Sequence, residues 1–148
     1  RDDFISSYRL LVDELFEEKL RPCVGVSEML AALNLPKCVA SNGPVKKIRK
    51  ALLVTGLDGY FGDNLFSAFD VDSWKPNPDV FLHAAKVMGF APDQCAVVED
   101  SPVGIAAAIN AGMMPILYDP DGMHSDVEGA YRIRHMRELS SVLTLESE

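Results

Sequence analysis

Cys95-Ala96-Val97-Val98-Glu99-Asp100-Ser101-Pro102-Val103-Gly104-Ile105 is the stretch that decides the fold. A continuous apolar run, Cys95 to Val98, meets two adjacent carboxylates. Ser101 then reads as a helix N-cap, with Pro102 at the first helical position, where a missing N–H costs nothing. Ile105, Ala108 and Ile109 keep helical spacing up to Gly112. The apolar run does not alternate with polar residues. Both faces of the strand are therefore expected to be buried, as in a parallel sheet covered by helices.

The same pattern repeats on either side. Cys38-Val39-Ala40 is a short apolar run ending in Ser41-Asn42-Gly43. A helix follows, with Val45, Ile48 and Leu52 inward and Lys46, Lys47, Arg49 and Lys50 outward. That basic face reads either as solvated surface or as an anion-binding patch. Gly56 to Asn64 is turn-rich, and Leu65 to Phe69 predicts a short strand. Trp74-Lys75-Pro76-Asn77-Pro78 is a loop, because its prolines block helix and central strand alike. Phe81, Ala84, Ala85 and Met88 restore helical spacing, with Gly89 as the residue past the helix end. A strand from Met114 to Tyr118 ends at Asp119, and a weak helix falls near 136–143. Upstream, Ser27 suits an N-cap for a helix carrying Met29, Leu30 and Leu33, closed by Pro36. At the start, Phe4, Tyr8, Leu11 and Leu15 share one face of a helix predicted over residues 2 to about 20 and ended by Pro22. The expected fold is α/β, a Rossmann-like parallel sheet with flanking helices. Ser41-Asn42, Glu99-Asp100 and Asp119 all fall at the C-terminal ends of strands, the edge where open α/β sheets bind ligands.

Composition bounds the function. The 148 residues suit one domain. Acidic residues outnumber basic ones 22 to 14, a formal charge of −8, which argues against nucleic acid as the main partner but not against a small phosphorylated ligand. No apolar run approaches the roughly 18–20 residues of a membrane helix. Cys23, Cys38 and Cys95 are an odd number, read as buried reduced thiols of a cytosolic protein rather than a disulfide frame. Arg1 opens the chain and no signal peptide follows it.

Three segments carry candidate chemistry. Glu99 and Asp100 repel each other unless a cation or proton offsets them, and Mg²⁺ suits such a pair; the plain alternative is that Asp100 helps cap the next helix. Ser41 with the N–H groups around Asn42 and Gly43 makes either an anion cradle or an ordinary cap. Lys75, in a stiff loop, is either a fixed cation beside phosphate oxygens or solvated surface. No G-x-S-x-G surrounds Ser41, and His83, His124 and His135 show no spacing that nominates a base. Taken together, a hydroxyl donor, a held cation and a carboxylate pair suit phosphoryl transfer, whose catalysis is mostly positioning and charge stabilisation.

In this order and wording, Val39-Ala40-Ser41-Asn42-Gly43-Pro44, Trp74-Lys75-Pro76-Asn77-Pro78-Asp79, and Val97-Val98-Glu99-Asp100-Ser101-Pro102-Val103-Gly104 with Ala111-Gly112-Met113 resemble the haloacid dehalogenase-like (HAD) hydrolase superfamily. The resemblance runs from about Leu20 to Leu143, and Ser-Asn-Gly-Pro and Trp-Lys-Pro look most like bacterial sugar-phosphate phosphatases of the 6-phosphogluconate phosphatase type. It implies that Ser41 donates a hydrogen bond to the transferring phosphoryl group, assisted by the Asn42 N–H. Lys75 would neutralise that group and the nucleophile. Asp100 would bind Mg²⁺, with Glu99 as a direct or water-mediated partner. Residues 1–20 would be the last helix of a mobile cap domain, Arg21-Pro22 the return hinge, and 21–148 the C-terminal part of the core.

One departure from that pattern is serious. The family's Asp-x-Asp-x-Thr segment, at the end of the first central strand, is absent; Asp58-Gly59 and Asp119-Pro120-Asp121-Gly122 are late echoes in the wrong context. The expectation is thus a core lacking its first central strand, inactive by itself and needing an upstream segment of the same protein. The implied function is a cytoplasmic Mg²⁺-dependent phosphatase acting on a small phosphorylated metabolite through an aspartyl-phosphate. A phosphomutase or dehalogenase of the same superfamily, and a binding domain with a decayed site, are the alternatives.

Overall fold

The computed structural model describes residues 4–6 and 24–147. These residues form a six-stranded, wholly parallel sheet of order β3-β2-β1-β4-β5-β6. The strands are β1 (Phe4–Ser6), β2 (Lys37–Ser41), β3 (Leu65–Ser67), β4 (Ala96–Glu99), β5 (Met114–Tyr118) and β6 (Tyr131–Ile133). The helices are α1 (Val26–Ala32), α2 (Val45–Thr55), α3 (Asp58–Phe61), α4 (Ala68–Val71), α5 (Asp79–Met88), α6 (Pro102–Asn110) and α7 (Leu139–Ser147). Among the described residues no helix is long and apolar enough to cross a membrane.

The expected burial of both sheet faces is what the strands show. Val39, Ala96 and Val98 pack with Leu30, Ile48, Leu52 and Leu139 on one face. Cys38, Ala40 and Val97 pack with Phe81, Ala84 and Ala108 on the other. Neighbouring residues of one strand thus enter different cores, because successive side chains point to opposite faces. Cys38 and Cys95 are buried thiols with no disulfide; Cys23 lies outside the described residues.

Several elements differ from the sequence expectation. The helix expected over residues 2–20 is, at Phe4–Ser6, the central strand β1, paired with β2 through Ile5↔Cys38 and with β4 through Ile5↔Val97. The open central position expected of this core is therefore filled. A gap between β2 and β4 would strand two rows of backbone donors and acceptors, and satisfying those outweighs the local helical periodicity of Phe4 and Tyr8. The rest of that helix, and Arg21-Pro22, lie outside the described residues. The first helix starts at Val26, with Gly25 in the left-handed region (φ 82°) as its N-cap in place of Ser27. The strand from Leu65 stops at Ser67, whose hydroxyl accepts the Phe69 N–H at 3.0 Å while the Asp70 carboxylate accepts the Ser67 N–H, a reciprocal cap that starts α4. β6 escaped the sequence reading because Tyr131 and Arg132 are exposed and give no apolar run.

Candidate active site

The strand order sets the site. β2, β1 and β4 are adjacent, so Ser41 at the end of β2 and Glu99 at the end of β4 flank the middle of one sheet edge. The loop between α4 and α5 folds Lys75 back across that edge. Its ammonium donates to the Ala40 carbonyl at 3.0 Å and to Glu99 Oε2 at 2.5 Å, and lies 4.8 Å from the centre of the Phe81 ring. Both side chains of the Lys75–Glu99 pair are wholly buried. Lys75 is thus not solvated surface.

Asn42 fixes the loop itself. Its Oδ1 accepts the Lys75 backbone N–H at 3.0 Å, a role for the side chain that no local pattern announces. Asn110 Nδ2 donates to the Pro76 carbonyl at 3.1 Å and ties the same loop to the end of α6. Before Lys75, Trp74 stacks edge-on against Phe69, with centroids 5.2 Å apart, and both rings are partly exposed.

Ser41 is buried, and its Oγ accepts the Gly43 N–H at 3.0 Å. Gly43 in turn offers its carbonyl to Ser67 Oγ at 2.7 Å. The turn is locked, and the hydroxyl proton of Ser41 keeps its donor capacity. Ser41 does not cap the following helix: α2 begins at Val45, after Pro44, and no side chain caps it. Ser67, buried and linked to both α4 and Gly43, escaped the sequence reading. Its capping-box spacing to Asp70 was the available signal.

Ser101 does cap α6, its Oγ accepting the Gly104 N–H at 3.2 Å. Asp100 is half-buried and lines a cavity of about 150 Å³ with Tyr118, Asp119, Asp121 and His124. Asp119 is committed to its own loop, accepting from Met123 N at 2.9 Å, His124 N at 3.1 Å and Arg132 Nη1 at 3.3 Å. The basic face of α2 is exposed, with Arg49 paired to Asp63 at 3.3 Å. Among the described residues no group of three or more His, Cys, Asp or Glu is placed to hold a metal ion.

The structure therefore brings Ser41, Asn42, Lys75, Glu99 and the adjoining Asp100 to one edge of one sheet. The arrangement gathers a hydroxyl donor, a fixed cation and carboxylates at the strand ends. The class this defines first is an α/β protein with a candidate polar site on the C-terminal sheet edge.

A sequence model of the haloacid dehalogenase-like hydrolases matches residues 1–112, and the chain belongs to that family. It is 40% identical over 106 residues to 6-phosphogluconate phosphatase of Escherichia coli, covering 72% of this chain and 48% of that protein. It is 32% identical over 115 residues to beta-phosphoglucomutase of Bacillus subtilis, covering 74% of this chain and 47% of that one. The chain thus spans about half the length of these curated relatives. Among solved structures, a haloacid dehalogenase-like protein of unknown function from Agrobacterium tumefaciens superposes with a TM-score of 0.82 at 32% identity, over 95% of this chain and 65% of that one.

Proposed function

We propose that this chain forms the phosphoryl-binding part of a phosphatase of the cytosol that hydrolyses a small phosphorylated metabolite, a sugar phosphate. The observation that carries the reading is the Lys75 ammonium, buried yet held at the strand ends by the Ala40 carbonyl and Glu99. Taking a lysine and a carboxylate out of water together is costly, so a buried pair kept at a ligand-binding edge supports a chemical role there. The similarity to 6-phosphogluconate phosphatase supports phosphate monoesters as that anion. The buried, reduced thiols Cys38 and Cys95 suit a reducing compartment.

The nucleophile is assigned to an aspartate upstream of this chain, on a segment of the same protein. Its carboxylate attacks phosphorus, the ester P–O bond breaks, and the sugar leaves as the alcohol, its oxygen taking a proton from the second aspartic acid of that upstream segment. Water then attacks phosphorus and releases inorganic phosphate. Ser41 donates its hydroxyl proton to a phosphoryl oxygen, assisted by the Asn42 N–H, and Lys75 balances the charge that gathers there. For Mg²⁺ the donor set fits in part. Asp100 supplies a hard carboxylate at the rim, whereas Glu99 Oε2 is taken by Lys75 and Glu99 Oε1 is buried without a hydrogen bond among the described residues. Asp100 would hold the ion, with Glu99 behind it; the bound ion would neutralise phosphate oxygens.

In the full-length protein, Lys75→Ala and Asp100→Ala each remove nearly all Mg²⁺-dependent release of phosphate. Asp100→Asn, which deletes the charge and keeps the volume, does the same in a demonstrably folded protein. Undiminished release by these variants overturns the assignment. The likeness to beta-phosphoglucomutase supports a second reading. A trapped phosphoenzyme that hands its phosphate to a sugar rather than to water selects that one.

A further inference from the structure

We propose that Gly104 is a positioning residue for the Lys75 ammonium: its missing side chain leaves the space in which the Glu99 carboxylate lies, and Glu99 in turn holds Lys75. The inference rests on the role given to Lys75 above and adds a residue to it.

Gly104 is the third residue of α6 and is buried. Glycine is among the poorest helix formers, and here the backbone does not need its freedom, since φ is not positive. The next turn carries Ala106, Ala107 and Ala108, so where the helix needs only a small residue it uses alanine. The reason for glycine is spatial. A Cβ at this position would overlap Cδ, Oε1 and Cγ of Glu99. The overlap is with the carboxylate end of the side chain and its Cγ, and this end is held in place. Glu99 has no exposed surface through which to swing away, and its Oε2 is fixed by the Lys75 ammonium. The ammonium is itself placed by the Ala40 carbonyl and the Phe81 ring. One methyl group on α6 therefore displaces Glu99, and Lys75 with it.

The test is a double-mutant cycle in the full-length protein: wild type, Gly104→Ala, Glu99→Asp and the two together, each read by kcat, KM and melting temperature. Aspartate is one methylene shorter and vacates the space above residue 104. We expect Gly104→Ala to lower kcat about a hundredfold, the scale of an ångström-sized misplacement, with KM little changed. In the Glu99→Asp background the same change costs far less in kcat and in melting temperature. Equal losses in the two backgrounds overturn the inference, as does a Gly104→Ala protein with wild-type activity and melting. Should Gly104→Ala fail to fold, a folded double variant supports the inference and an unfolded one overturns it. A wild type that releases phosphate from no sugar phosphate sinks the phosphatase reading alone, because the melting temperatures still decide whether Gly104 and Glu99 are coupled.

Discussion

The residues at the sheet edge divide by how far they reach along the chain. The positions of Ser41, Glu99 and Asp100 were legible because they stand at or just past the end of an apolar run, and that of Lys75 because it lies in a proline-stiffened loop, all local signals. The Asn42 side chain, Ser67 and Gly104 were not, because what each one serves is distant or spatial. Asn42 reaches a backbone N–H 33 residues away, and Ser67 a carbonyl 24 residues away. Hydrophobic periodicity carries no information about such pairs. Asn42 gives the residue-scale prediction. Asn42→Ala leaves the Lys75 N–H, in a residue only 5% exposed, without the acceptor seen here. An unsatisfied buried donor costs about 1–3 kcal/mol. Urea denaturation of the full-length variant is expected to show a loss of that size, with phosphate release falling as the loop loosens.

Helices and strands were recovered where the chain gives both a periodic core face and a punctuating residue. α5 runs to Met88 with Gly89 past its end at φ 89°, and α6 starts behind Ser101 and Pro102, as their sequences imply. Short elements stabilised mainly by tertiary contacts were missed: α3, α4 and β6. The turn into α7 shows how such an element is held. Glu138 Oε1 accepts the Arg134 N–H at 2.7 Å and the His135 N–H at 2.8 Å, and these bonds hold its carboxyl below the usual range. A carboxyl whose pKa is lower folded than unfolded stabilises the fold above its unfolded pKa, and that stability is lost as pH falls through the folded pKa. Glu138→Gln is therefore expected to lower the melting temperature at neutral pH. The gap from wild type should close as pH drops below the ordinary carboxylate value of about 4.3. A gap that stays constant with pH would contradict this.

For the molecule as a whole, the alternation of residues between two apolar cores made a parallel α/β sheet readable from a few four- to five-residue runs. The occupant of the centre was not readable, since Phe4-Ile5-Ser6 carries a helical spacing with its downstream neighbours and pairs as a strand. In the 148-residue chain, Ile5→Pro removes a backbone donor from the middle of the sheet. The carbonyl it orphans costs about 1–3 kcal/mol. Chemical denaturation of that variant is the check, and unchanged stability would show that β1 contributes little to the sheet. The upstream strand proposed to bring the nucleophile would compete for this same slot. The aromatic pair beside Lys75 has a practical consequence. Trp74 is the single tryptophan of the chain, partly in water and partly against Phe69, one residue from the buried ammonium. Its indole emission is thus a native optical reporter of that loop, readable in a cuvette without dyes or labels.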